Sequence, residues 1–340
     1  MRLARRLAAL LGIVAVVASG CTQSSQSPPP NASGLPWRRV GEVVLTGGPA
    51  RFDYTSLDQG RGLLFIAHMG VGELVEVDVH RYQVVRMIPD LPDVHGVIVV
   101  PDKHRVYATA TGRNQLVALD EDSGAVLFTA PTGICPDGLV YDPVRNAVWT
   151  TNEHAGTETV VDADTGEVRA TVALGGEVGN VVYDPAADRM VVAVQGRGEL
   201  ALIDPAGHTV TERIPTPGCD SPHGQALDAA GQVMFVGCEA NAAMVTVDLA
   251  HRAVTGHYKV GDTPDVLAYD AGAHRLYVAA ESGWVSLFDR RDATTIAAGS
   301  THLADGAHSL ALDPGTHRSY FPIPKGLGGV PVLWEFEPTG

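Results

Sequence analysis

An all-β fold, a seven-bladed β-propeller of four-stranded antiparallel blades, is what this 340-residue chain predicts, and three observations carry the prediction. One position recurs along the chain as Asp53, His95, Asp137, Gly179, His223, Asp265 and His308, at intervals of 42, 42, 42, 44, 42 and 43 residues. A period near 40 residues is the size of one propeller blade. Within a repeat, four short runs rich in Val, Tyr, Leu and Ile alternate with breaks rich in Gly, Pro, Asp and Asn, the composition of strands joined by tight turns. The last repeat stops after three such runs, and the segment Trp37 to Thr46 (WRRVGEVVLT) stands before the first repeat as its missing fourth. Pairing the two would close the ring and remove its exposed edges.

Taken in order, the chain opens with Arg2, Arg5 and Arg6, an apolar stretch from Leu7 to Val17, and Ala18-Ser19-Gly20 before Cys21. A charged start, a short apolar segment and small residues at a cleavage point are the parts of an export signal, assigned to residues 1–20. The cysteine that follows resembles a bacterial lipobox, which implies cleavage before Cys21 and lipidation there. Residues 21–36 read as the lipidated cysteine and a tether of Ser, Gln and Pro with nothing to bury. Residues 37–340 form the propeller. In the second repeat its strands are expected at Gly96 to Val100, Arg105 to Ala110, Gln115 to Asp120 and Ala125 to Ala130.

Two sets of aspartates read as turn residues rather than as chemistry. Asp58, Asp142, Asp184, Asp228, Asp270 and Asp313 lie five residues after the recurring position, and Asp78, Asp120, Asp162, Asp204, Asp248 and Asp289 end successive third strands. Asp side chains accept backbone N–H groups at such turns.

The repeats also resemble the bacterial YVTN-repeat propeller family across residues 37–338. The matching pieces are Arg105-Val-Tyr-Ala-Thr-Ala-Thr-Gly-Arg-Asn-Gln-Leu-Val-Ala-Leu-Asp120, Arg275-Leu-Tyr-Val-Ala-Ala280, and the lead-ins Cys135-Pro-Asp-Gly138 and Thr263-Pro-Asp265. The resemblance implies the fold and an exported protein. It carries no catalytic residue onto this chain, because propellers host enzymes, binders and scaffolds alike.

The formal net charge is −15, or −18 without the three leader arginines. That balance argues against a nucleic-acid partner, whose phosphates need clustered Lys and Arg. No stretch has the roughly 18 uninterrupted apolar residues of a spanning helix, so a lipid on Cys21 would be the only membrane anchor. Cys219, in the loop leading to the fifth repeat, and Cys238, at the end of that repeat's second strand, share a rim and form the candidate disulfide. Cys135 is left over; the alternative is three small buried thiols.

The recurring position falls where the outer strand of one blade hands over to the inner strand of the next, at the rim of the channel. Asp53, His95, Asp137, His223, Asp265 and His308 are therefore the candidate ligand-binding residues. His95, His308, Asp53 and His223 are candidates to hold a divalent metal, since two imidazoles and a carboxylate compose open metal sites. Gly179 leaves an expected gap in the ring. Glu153 and Glu239, at equivalent register in loops beside it, are candidate extra ligands or general bases, and Glu281 lies in a similar loop. His80, His104, His251, His274 and His317 fall in outer or lower turns and are expected to be solvated.

Three functions fit. The first is an exported, lipid-anchored propeller of the cell envelope that binds a small ligand or divalent metal at the channel mouth. The second is a metal-dependent hydrolase or lyase acting on a sugar or lactone, with His and Asp as acid and base. The third is a scaffold for envelope proteins. Phosphate-binding Gly-Lys-Ser/Thr loops, Gly-x-Ser-x-Gly elbows, Cys-x-x-Cys-His haem sites and His-Glu-x-x-His zinc helices are missing from the sequence.

Overall fold

A computed structural model of the chain describes residues 29, 34–291 and 293–339, and it is a seven-bladed β-propeller. The leader, Cys21 and most of the tether lie outside the described residues. Each blade is a four-stranded antiparallel sheet, and in blades 1 to 6 the strands follow sequence order from channel to periphery. In blade 1 they are Thr55–Asp58, Leu63–His68, Glu73–Asp78 and Gln83–Ile88. The second repeat forms Val94–Val100, Arg105–Ala110, Gln115–Asp120 and Val126–Pro131, within two residues of the sequence expectation at every end.

Blade 7 is built from both ends of the chain. Its inner strands are Ala311–Asp313, Arg318–Ile323 and Val332–Pro338, and its outermost strand is Trp37–Val44, paired antiparallel from Trp37 opposite Pro338 to Val44 opposite Val332. Trp37 anchors the seam: its ring stacks on Phe336 at 4.5 Å and meets the edge of Phe321 at 5.4 Å. Leu35, two residues into the sequence assigned to the tether, is buried in the same cluster, so the folded body begins slightly before residue 37.

The apolar core is divided among the seams between blades. Leu63, Phe65 and Leu74 of blade 1, for example, pack with Val97, Val106 and Val117 of blade 2. Second and third strands are covered on both faces, which is why Leu63–His68 and Glu73–Asp78 are buried throughout. Outer strands have one solvated face, and Gln83–Ile88 alternates accordingly.

Most of the turn aspartates do what turn chemistry requires. Asp142 accepts the N–H of Val144 at 2.9 Å, Asp228 that of Gly231 at 3.0 Å, and Asp120 that of Ser123 at 2.8 Å. Asp289 differs: it sits inside the strand Trp284–Arg291 and accepts from Arg275 instead. Cys219 and Cys238 are bonded, with Cα atoms 5.0 Å apart, and tie the loop leading into blade 5 to the end of its second strand. Cys135 is a free thiol. His80, His104, His251 and His274 are exposed, whereas His317 is half-buried against Asp270 at 2.8 Å.

Candidate functional site

The backbone aims the recurring residues before any side chain acts. Two positions ahead of the ring, Asp93, Cys135, Ser221, Thr263 and Gly306 all adopt left-handed φ of 49° to 74°. Four of these five are not glycine, and each bears the cost of order 1 kcal/mol that a Cβ incurs there. The inner strands of blades 2, 3, 5 and 6 then carry a register shift at the ring residue itself, for instance between Pro222 and Gln225. Such a bulge re-aims one side chain. Here it turns the residue into the channel mouth: Asp53, Asp137, His223, Asp265 and His308 are all buried there, and His95 is half-buried.

Adjacent blades approach so closely at this level that some positions accept no side chain. A Cβ on Gly224 would lie 1.7 Å from the carbonyl oxygen of Asp265. Gly179 is the same case, and it corrects the expectation of a gap. A Cβ there would meet the Cα of His223 at 2.5 Å, so the place is taken by the backbone of blade 5 and offers no opening.

A second ring stands above the first. Sixteen residues after each ring position come Met69, Thr111, Glu153, Gln195, Glu239, Glu281 and Pro324; Gln195 and Glu281 reach the histidine of the following blade, and Glu239 lies 3.9 Å from His223 of its own blade. The Gln195 amide lies 2.7 Å from His223 Nδ1, and Glu281 lies 3.7 Å from His308 Nδ1. In blade 1 the position is Met69, which has no strong acceptor for His95. The His95 Nδ1 donates instead to the Asp93 carbonyl at 2.7 Å. His308 Nδ1 likewise reaches the Gly306 carbonyl at 3.0 Å. A donating Nδ1 leaves Nε2 with its lone pair facing the cavity, the form that binds a metal.

Asp265 is the centre of the cluster. Its Oδ1 lies 3.5 Å from His223 Nε2, and its Oδ2 lies 3.7 Å from His308 Nε2 and 3.9 Å from the Arg51 guanidinium. Arg51 also lies 2.6 Å from Glu281 and 3.6 Å from Asp53. Two sets of ligand-type atoms result, each with all members within 4.8 Å of one another: Asp53, Asp265 and His308, and His223, Glu239 and Asp265. A third, Cys135, Glu153 and His154, sits at the edge with His154 exposed. His95 belongs to none of the three.

The cavity they enclose is about 130 Å³ and is lined by six carboxyl groups, Asp53, Asp137, Glu153, Glu239, Asp265 and Glu281, against Arg51, His95 and His223. Acids outnumber bases even with both imidazoles charged. The charges sort themselves unevenly. Burial, with the neighbouring Asp265 and Asp137 charges, pushes the Asp53 carboxyl well above its usual range, although Arg51 pulls the other way. Burial works on Asp265 too, but its contact with His223 and the charges of His308, His223 and Arg51 outweigh it and hold Asp265 at about 2. Burial disfavours the His223 imidazolium, yet Asp265, Glu239 and Asp137 raise it to about 10. Asp265 is thus the fixed anion and Asp53 the group that holds a proton. Burial and the nearby Glu153 push the Cys135 thiol up to about 12, so it is not a thiolate.

Tyr54 forms the floor. The residue after each ring position is glycine in blades 2, 3 and 5, where a Cβ would strike the following blade, and it is Tyr54 in blade 1. Its hydroxyl accepts a 2.6 Å hydrogen bond from the Asn180 amide of blade 4, across the channel, and lies 3.5 Å from Asp265. Below it a separate cavity of about 330 Å³ is lined mostly by apolar residues such as Leu139, Leu267 and Leu312. The mouth is therefore a shallow acidic cup closed from beneath.

Of the residues singled out from sequence, Asp53, Asp137, His223, Asp265, His308, Glu153, Glu239 and Glu281 converge on this cup, while His95 lines it without joining a ligand group. Sequence reasoning missed Arg51, Tyr54, Asn180 and Gln195. Gln195 shares a register with Glu153 and Glu239 and was findable by counting 16 residues from Gly179. No protein-family model matches the chain, and no curated protein matches it, so the reading of the site rests on its own geometry.

Proposed function

We propose that this protein binds a divalent cation at the mouth of its channel, with Asp53, Asp265 and His308 as the protein ligands. One observation carries the reading. Asp53 Oδ2 and His308 Nε2 are buried, face the same carboxylate, and have no hydrogen-bond partner. Buried polar atoms are normally paired, and each orphan costs on the order of 1–3 kcal/mol. A cation between them satisfies both and offsets the carboxylate excess.

The test is thermal unfolding of the purified protein with Mg²⁺, Ca²⁺, Mn²⁺ or Zn²⁺. At a concentration a hundredfold above Kd, a bound ion adds about 2.7 kcal/mol, a rise in Tm of roughly 5 °C for a domain of this size. The rise is expected to vanish in His308→Ala. No shift with any of the four ions would exclude the reading.

The same proposal places the protein outside the cytoplasm, on a membrane through lipid at Cys21, as a propeller of the YVTN-repeat kind. The charged and apolar leader, the small residues before Cys21 and the polar tether support it. Labelled palmitate is expected to mark the wild-type protein and not Cys21→Ser; an unmarked wild type contradicts the anchor.

A further inference from the structure

We propose that the mouth holds two divalent cations bridged by Asp265, a dinuclear centre rather than a single site; this rests on the cation-binding reading above. The two ligand groups, Asp53 with His308 and His223 with Glu239, have Asp265 in common. Its two oxygens are divided between them: Oδ1 faces His223 Nε2 at 3.5 Å, and Oδ2 faces His308 Nε2 at 3.7 Å. A carboxylate that offers one oxygen to each of two imidazole-bearing groups is the geometry of a bridging ligand, in sites whose ions stand about 3.5–4 Å apart.

Independent observations point into the cup. Asp53 Oδ2 and His308 Nε2 are unpartnered on residues each 1% exposed. On the other side, the Gln195 amide stands 2.7 Å from His223 Nδ1. That contact fixes the His223 ring with Nε2 turned to Asp265. Charge agrees as well. Six carboxyl groups stand against the single guanidinium of Arg51, an acidic excess that suits cations.

Arg51 sets the limit on access. Its guanidinium already contacts Glu281, Asp53 and Asp265, and its side chain is 39% exposed, so an ion that enters beside Asp53 must displace the guanidinium toward solvent.

The test is equilibrium dialysis of the full chain against Mn²⁺ with metal quantified per chain, together with electron paramagnetic resonance of the bound ion. Two ions per chain with a spin-coupled spectrum are expected for the wild type. One uncoupled ion is expected for His223→Ala and for the milder His223→Gln, with circular dichroism confirming that each is folded. A wild type that binds one ion, lost in His308→Ala and kept in His223→Ala, would overturn the dinuclear centre and leave the single site standing. A wild type that binds none would overturn both.

Discussion

Removal of residues 34–46 is expected to abolish cooperative folding of the propeller. This segment is the fourth strand of blade 7, and its loss leaves Val332–Pro338 as an open edge. It also takes away Leu35, Val43 and Leu45, which are buried, and Trp37, which packs on Phe321 and Phe336. Each such side chain contributes about 1.5–3 kcal/mol on burial. Together they approach the 5–15 kcal/mol that separates a folded domain from its unfolded chain. Polar ties fall with them, including the 2.8 Å hydrogen bond from Trp334 Nε1 to Glu42 and the 2.7 Å bond from Arg38 to Glu337. The single substitution Trp37→Ala is expected to cost about 3 kcal/mol. Denaturant unfolding followed by far-ultraviolet circular dichroism checks both. A truncated chain that unfolds cooperatively at the wild-type midpoint would show that closure by the N-terminal strand does not hold the ring together.

The fold was legible because a propeller writes itself locally. The turn aspartates recur with each blade, the strand runs between them are short and apolar, and an incomplete last repeat beside a stray first strand admits one closure. The ring position was legible for the same reason, since it keeps its place in every blade. What the sequence did not disclose is contact across the channel. Tyr54 and Asn180 are 126 residues apart and meet only where the closed ring brings blades 1 and 4 together across the channel. Arg51 lies two residues before Asp53, where other blades place Asp93, Cys135 or Ser221, and nothing local announces that it reaches Glu281 in blade 6. The expected gap at Gly179 failed on the same ground: an absent side chain looks like space in one dimension, but the neighbouring backbone fills it. His95 joins no ligand group, and Met69 stands where Gln195 and Glu281 face the histidine of the following blade, a difference visible only once the second ring is known.

The second large effect concerns Asp265, and Asp265→Asn is expected to weaken cation binding by about a hundredfold or more, near 2.7 kcal/mol. The substitution keeps the shape and removes the one carboxylate that faces both His223 and His308 and stays ionised throughout the ordinary pH range. Binding by the wild type is expected to strengthen as pH rises. Asp53 is held protonated above the usual carboxylate range, by burial first and then by its acidic neighbours. A cation takes the unprotonated form, so each ion bound there displaces a proton. The dependence extends up to the raised Asp53 pKa and flattens above it. Calorimetric titration with Mn²⁺ of wild type and Asp265→Asn, side by side at pH 5.5 and pH 8, is the most direct measurement of whether the converging Asp and His side chains form a cation site. Saturable wild-type binding, tighter at pH 8 and lost in Asp265→Asn, is the expected result; equal binding by the two proteins, or none by either, would contradict it.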